Sequence, residues 1–366
     1  MSGPRVALVV HEARRSGPPL YALGVVGWLA EHTDLDLAVV LLEDGPLRAA
    51  FATLVPTEVW QPGSPAATGL LAGADLVYVN TAVSARALRA EGLRPPIVVT
   101  HVHELEVGLR YWLPAEDHDW MVAHTDRFLV GPDVAAENLV RNHGVPRAKI
   151  GRVPYFVPPG DAAADPAAVR AVLGAGPDTV LIGACGAREW RKAPDLFAHV
   201  AHEAVRRAPG RDLRFVWVGS APPTAPHWDE AADLALLGLG DRLRYVEDQV
   251  AIDAWLGALD VYALTSREDD FPLACLTAAS HGVPVVTFDG GGMADFVAAS
   301  GGGRVVPYPE VEALAAEVVA LAGDPDQRAR LGAAARAEVE AHHRLEHGAT
   351  RVAEELGTLL AAGPRR

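Results

Sequence analysis

Ser266-Arg-Glu-Asp-Asp-Phe-Pro-Leu-Ala-Cys-Leu-Thr-Ala-Ala-Ser-His-Gly-Val-Pro-Val-Val-Thr-Phe288 sets an acidic loop and a short helical pattern among apolar, strand-like runs. Before it stands the apolar run Val261 to Leu264 and at its end the run Val283 to Phe288, each with the length and composition of a strand buried on both faces. Between them Pro272 suits the first turn of a helix, Leu273, Leu276 and Ser280 recur at helical spacing, and Gly282 can take the left-handed conformation that ends one. The unit is strand, acidic loop, short helix, strand. Open α/β sheets bind ligands outside the carboxyl ends of their strands, where a helix N-terminus directs N–H groups and partial positive charge at the crevice. An anion such as a phosphate is the expected guest.

The same alternation recurs on both sides of this stretch. Strands are expected at Arg5 to Val10, Leu35 to Leu41, Asp75 to Val79, Pro96 to Thr100 and Arg127 to Val130. The helical segments between them include Ala66 to Ala72, Ser84 to Ala90 and Asp133 to His143. The loop His11 to Pro19, with Gly17, leads into a helical pattern carrying Leu20, Leu23, Val26 and Leu29. Four prolines and a glycine between Val153 and Pro166 mark a linker at 156–166. Beyond it strands are expected at Val180 to Cys185, Leu213 to Val218, Leu243 to Val246 and Arg304 to Val306, with helices at Pro194 to Arg207 and Val311 to Ala322. The fold class is therefore α/β, with doubly wound parallel domains at 1–155 and 167–345 facing a cleft. The Ala-rich tail, Asp326 to Ala361, reads as two amphipathic helices, and the segment 346–366 is expected to cross back to the first domain.

The chain has 366 residues, 32 basic against 47 acidic side chains, and a net charge of −15, which disfavours nucleic acid and anionic membrane surfaces as partners. Cys185 and Cys275, the two cysteines, fall inside core segments and read as buried, reduced thiols. The apolar run Val6 to Val10 is too short for the core of a signal peptide, and no window approaches a membrane span, so a cytoplasmic location is expected.

In this order of segments the sequence resembles the GT-B fold glycosyltransferases, in particular the retaining family 4, also called group 1. That family carries an acidic residue, seven residues, Glu and then A-x-A-x-G-x-P-V-V, followed by a Gly-Gly loop. Asp269 stands in the first acidic place, and Thr277-Ala-Ala-Ser-His-Gly-Val-Pro-Val-Val286 continues the motif. Gly291-Gly292-Met293-Ala294-Asp295 is similar to the family's Gly-Gly-x-Pro-Glu, and Gly186-Ala-Arg188-Glu-Trp-Arg191-Lys192 to its diphosphate-gripping loop. His101-Val-His103-Glu104 matches the place where the family sets a histidine beside the donor sugar.

The resemblance implies two Rossmann-like domains and transfer of a sugar from a nucleotide diphosphate to a small-molecule acceptor, with no cofactor beyond that donor substrate. His103 and Asp269 are the implied catalytic contacts, with Asp269 accepting hydroxyls of the transferred sugar. Gly17, Arg188, Arg191, Lys192, Val246, Phe271, Leu273, Thr277, Gly291, Gly292 and Met293 are the implied donor-binding positions. No Asp-x-Asp metal motif lies in a suitable loop, so Lys192 and the two arginines must meet the diphosphate charge, and metal independence is expected. Glu104, Glu106, Arg110, Trp112, His118 and Trp120 are candidates for the acceptor side or for its packing, and Asp270 for a helix cap. A homo-oligomer stays open.

Thr277 departs from the family. Threonine offers one neutral hydrogen bond where Glu offers two charge-assisted ones to a ribose, a loss of roughly 1.5 to 3 kcal/mol. A pseudo-glycosyltransferase, an epimerase-like enzyme or a non-catalytic nucleotide-sugar binder are therefore alternatives.

Overall fold

The computed structural model describes residues 3–157, 165–221, 230–247 and 251–363. The chain divides into two compact units, Met1–Pro158 with His343–Arg366, and Pro159–His342. Most of the expected linker, and Asp248 in the loop after Val246, lie outside the described residues.

In the first unit the strands are β1 (Arg5–Val10), β2 (Asp36–Leu41), β3 (Thr57–Val59), β4 (Leu76–Asn80), β5 (Val98–His101), β6 (Arg127–Val130) and β7 (Ile150–Arg152). They form one parallel sheet in the order β3-β2-β1-β4-β5-β6-β7. Val6 to Val10 are buried without alternation, as helices on both faces of a sheet require. The edge strands β3 and β7 were not expected, because three residues each are too few to show a period. Helices Arg48–Leu54, Glu106–Trp112 and Ala115–His124 were also missed. The helix after β1 starts at Gly17, inside the expected loop, with Pro in its first turn.

The last helix, Leu345–Ala362, packs in this unit on the helix Gly17–His32, with Phe156 between them. A Cβ at Gly24 would lie 2.8 Å from the Phe156 ring and one at Gly348 2.5 Å from it, so both helices reach the ring only because glycine stands there. Glu355, in the same helix, is buried and accepts from Arg127 Nε and Nη2 at 2.8 and 3.1 Å.

The second unit is another parallel sheet, of β8 (Val180–Cys185), β9 (Leu213–Val218), β10 (Leu243–Val246), β11 (Val261–Leu264), β12 (Val285–Phe288) and β13 (Gly303–Val306), in the order β10-β9-β8-β11-β12-β13. Phe197, Val200 and Ala204 of helix Pro194–Arg207 join Leu314, Val318 and Leu321 of helix Val311–Gly323 in one apolar core beside the strands. The order of connection reverses between β8 and β11, which makes the loops after those two strands the crevice of this sheet. In the first unit the reversal lies between β1 and β4.

Candidate functional site

The loop after β8 is shaped by close backbone contact. Gly219, with φ +143°, lies so near the preceding loop that a Cβ there would be 2.1 Å from the Gly186 carbonyl oxygen. Trp217 Nε1 donates to that oxygen at 2.8 Å. Gly186 in turn takes the stem of Lys192, whose Cγ and Cδ would be 3.3 Å from a Cβ at that position. Lys192 is thus folded back over the end of β8. Ala193, at φ +60°, holds a left-handed conformation unusual for a residue with a Cβ, and its carbonyl accepts from Thr265 Oγ1 at 3.1 Å.

The loop after β11 meets it there. Lys192 Nζ donates to Asp269 Oδ2, Ser266 Oγ donates to the same oxygen at 3.2 Å, and Arg191 Nη1 stands 3.6 Å from Oδ1. Arg191 also donates to the Glu268 carbonyl and the Glu189 carboxylate, both at 3.1 Å. Burial alone would depress the Arg191 pKa, but Asp269, Glu189 and the neighbouring acids outweigh it and raise it. Asp269 is itself buried, so its charge is held by these partners rather than by water. Beneath them, burial and then the Asp269 charge push the Cys275 thiol well above its ordinary value. Cys275 is buried as expected, whereas Cys185 is only half-buried.

The Gly-rich loop after β12 completes the constellation. A Cβ at Gly291 would lie 2.3 Å from the Asp269 carbonyl oxygen, and helix Gly292–Ser300 begins one residue later. Gly292, one of the implied donor-binding positions, has its N–H engaged within the protein, where it donates to the Asp270 carbonyl at 2.8 Å. Met293 is buried. Asp270 does not cap the next helix: the cap of Leu273–Ser280 is Pro272, with no side-chain cap bond.

Two further expectations shift. Arg188 was grouped with Lys192, but its guanidinium is carried to the other side, where Nη1 donates to the Gly219 carbonyl at 2.9 Å and Nη2 to Glu247 at 2.6 Å. It also pairs with Glu230 at 2.7 Å. Thr277, expected at a ribose, donates its Oγ1 to the Leu273 carbonyl at 3.0 Å, the bond four residues back that threonine makes within helices. Phe271 packs edge-on against Phe296 at 6.3 Å, Leu273 is half-buried, and the Val246 carbonyl accepts from Gly219 N–H at 2.8 Å. Asp295 lies in the first turn of its helix, where it answers the dipole.

In the first unit His103 has both ring nitrogens engaged. Asn80 Nδ2 donates to the Pro18 carbonyl at 3.0 Å, which turns its Oδ1 toward His103 Nε2, also at 3.0 Å. Nε2 therefore carries the proton, and Nδ1 accepts from the Tyr155 hydroxyl at 2.7 Å. Burial, then His101 and His11, hold the His103 pKa well below its ordinary value, so the ring is neutral. His101 stacks on it at 4.2 Å and accepts or donates at Nδ1 with the Tyr78 hydroxyl, 2.6 Å away; burial pushes its pKa down to about 3. Neither Asn80 nor Tyr155 was singled out in the sequence, since they reach His103 from other segments of the fold.

The acceptor-side candidates separate in the same way. Glu104 is buried and accepts from the N–H groups of His103 at 2.9 Å and Ala82 at 3.3 Å, a strut rather than a surface contact. Trp120 is buried and stacks on His124 at 4.7 Å. Glu106 pairs with Arg110 and accepts from His143 Nε2 at 2.9 Å, and His143 Nδ1 lies 2.8 Å from His118 Nε2. Trp112, with Tyr111, is exposed on the helix Glu106–Trp112. Gly17 is the first residue of its helix, next to the Pro18 carbonyl that orients Asn80.

Residues 177–324, which carry the Lys192–Asp269 pair, match the family model described as glycosyl transferases group 1. D-inositol 3-phosphate glycosyltransferase of Nocardia farcinica is 32% identical over 58% of this chain and 48% of its own length. The lipopolysaccharide core biosynthesis mannosyltransferase LpcC of Rhizobium leguminosarum is 28% identical over 66% of this chain and 65% of that one. The chain spans about half the length of the first curated relatives it matches. HepE of Anabaena, solved in complex with UDP-glucose, superimposes with a TM-score of 0.79 at 18% identity, over 97% of this chain and 100% of that one. Sucrose-phosphate synthase of Thermosynechococcus elongatus gives 0.76 at 19%, over 98% and 100%. Among the described residues no helix is long and apolar enough to cross a membrane. The two parallel-sheet Rossmann-like units share the GT-B fold of these solved structures, and residues 177–324 are similar to the group 1 glycosyl transferases.

Proposed function

We propose that this protein is a retaining, metal-independent glycosyltransferase that moves a sugar from a nucleotide diphosphate to a small-molecule acceptor. The observation that carries the reading is the meeting of Lys192, Arg191 and Asp269 at the switch point of the second sheet, against the loop that starts at Gly291. A diphosphate entering there exchanges Asp269 for its own oxygens at Lys192, and the released carboxylate accepts hydroxyls of the sugar. Lysine and arginine charge, fixed before the reaction, stabilises the leaving diphosphate, which carries about two negative charges. No residue of this chain is assigned as a nucleophile: with the sugar oriented on one face, the leaving diphosphate helps take the acceptor proton. His103, neutral and held at both nitrogens, acts by placing its ring and main chain rather than by moving a proton.

Glycosyltransferase relatives and the UDP-glucose complex of HepE support a nucleotide-sugar donor. The test is release of nucleoside diphosphate from a panel of nucleotide sugars, with the anomeric configuration of the product read by NMR. Turnover with retention supports the proposal, and inversion contradicts it. Thr277 motivates a second reading, a pseudo-glycosyltransferase, epimerase-like enzyme or non-catalytic binder on the same fold, because its hydroxyl is turned to Leu273. Tight binding of a nucleotide sugar with no product of any kind would favour the binder.

A further inference from the structure

Three helices of the first unit meet at a pair of histidines that sugar transfer does not use. His143, the last residue of helix Asp133–His143, sets Nε2 2.9 Å from Glu106 Oε2, in the first turn of helix Glu106–Trp112. Its Nδ1 lies 2.8 Å from Nε2 of His118, in helix Ala115–His124. His118 Nδ1 then stands 3.2 Å from Asp119 Oδ1. The row runs from inside to outside: the His143 side chain is 6% exposed, that of His118 25% and that of Asp119 83%. Few charges face it. Glu106 and Arg110 come from helix Glu106–Trp112, where they pair, and Asp119 from helix Ala115–His124, whose Glu116 and Asp117 are turned to Arg89 instead. On helix Asp133–His143, Glu137 is taken by Arg141 and Arg147.

Protonation decides how many of these bonds exist. A carboxylate only accepts hydrogen bonds, so His143 Nε2 carries a proton toward Glu106, and His118 Nδ1 carries one when Asp119 is engaged. The two facing nitrogens share a third. All three bonds together therefore mean one positive charge on the pair. A neutral pair has one proton fewer and gives up only the outer bond, to a carboxylate that water already solvates. A pair with two charges has a proton on every nitrogen: the facing atoms are then both donors, their bond is lost, and the rings repel across 2.8 Å. Burial, with the charges of His118 and Arg110, holds the His143 pKa below its ordinary value against the pull of Glu106, so the second charge is refused until the solution is acid.

We propose that His118 and His143 are an acid-released clasp, which fastens helix Ala115–His124 to helix Asp133–His143 at neutral pH and lets it go when both rings are charged. His143 stays on Glu106 as the imidazolium, so helix Glu106–Trp112 keeps its tie and the helix carrying His118 is the part that opens. The clasp lies wholly in the first unit and does not depend on the second unit binding a nucleotide.

Hydrogen exchange of the full chain, read by mass spectrometry at pH 7 and pH 5 and corrected for the intrinsic pH dependence of amide exchange, tests it. Exchange in Ala115–His124 rises by about tenfold or more on acidification, beyond any rise in β4, because each pH unit below the ordinary histidine pKa of about 6.5 favours the open, doubly charged form tenfold. His118→Gln removes that rise. Its amide donates N–H to a neutral His143 Nδ1 and turns its oxygen to a protonated one, and the second charge never forms. No rise in Ala115–His124 beyond that of β4, or an equal rise in His118→Gln, overturns the proposal. Where His118→Gln fails to fold, NMR of the histidine-labelled wild-type chain decides: two well-separated protonation steps for the pair support the clasp, and independent titration of both rings near about 6.5 overturns it.

Discussion

The ammonium of Lys192 and the carboxylate of Asp269 form an ion pair across 77 residues of sequence, joining the loop after β8 to the loop after β11. Both side chains are largely buried, at 15% and 6% exposure, so each depends on the other in the unliganded protein. That dependence makes the pair a charge reservoir for an entering diphosphate. Lys192→Ala is expected to weaken nucleoside diphosphate binding by about 2 to 3 kcal/mol, the worth of a hydrogen bond to a charged group. Asp269 keeps Ser266 and Arg191 in the variant, so the fold survives. Calorimetry beside a thermal melt separates the two effects, and unchanged affinity in a folded variant rules out the diphosphate role of Lys192.

Activity is expected to survive EDTA. Lys192 and Arg191 stand where a metal ion would otherwise neutralise the diphosphate, and the sequence has no Asp-x-Asp pair in a suitable loop. Loss of turnover in EDTA, restored by Mg²⁺ or Mn²⁺, contradicts the expectation.

Thr277→Glu is expected to tighten nucleoside diphosphate binding by roughly tenfold, by adding two charge-assisted bonds to the ribose. The bond that the threonine makes to Leu273 O is an internal one and is not needed by a ligand. Weaker binding in the folded variant means that the buried carboxylate finds no partners, and it moves the balance to the pseudo-glycosyltransferase reading.

The stability of the first unit is expected to fall on acidification. His101 is fully buried, with its pKa pushed down from 6.5 to about 3 by burial, so below pH 6.5 the unfolded chain binds a proton that the folded chain refuses. Its contribution is complete above about pH 6.5 and is lost as pH falls toward 3, at about 1.4 kcal/mol per pH unit. Urea unfolding at pH 7, 6 and 5 measures the slope, and His101→Gln should reduce it, leaving the part that the buried His103 contributes. Equal slopes in the two proteins would show that His101 titrates normally.

The sheet was legible in the sequence where strands are buried on both faces, because Val6 to Val10 or Val283 to Phe288 then read as unbroken apolar runs. The edge strands Thr57–Val59 and Ile150–Arg152 were not, since neither is buried enough to show a pattern. Site residues were legible by position but not by direction. Lys192 and Asp269 were both marked, while their pairing depends on the turn at Gly186 and Gly219 that no local pattern reveals. The same turn sends Arg188 to Glu247, though it stands only four residues from Lys192 in the chain. His103 was marked as a single residue, whereas its protonation state is set by Asn80 and Tyr155, which the topology alone brings to it.

A thermal-shift series with nucleoside diphosphates is the direct test of whether the second unit holds a nucleotide diphosphate at Lys192 and Asp269. At a hundred times its dissociation constant the cognate ligand should stabilise the folded protein by about 2.7 kcal/mol, and the shift should vanish in Lys192→Ala. No shift with any nucleoside diphosphate at millimolar concentration, or an undiminished shift in Lys192→Ala, would contradict it.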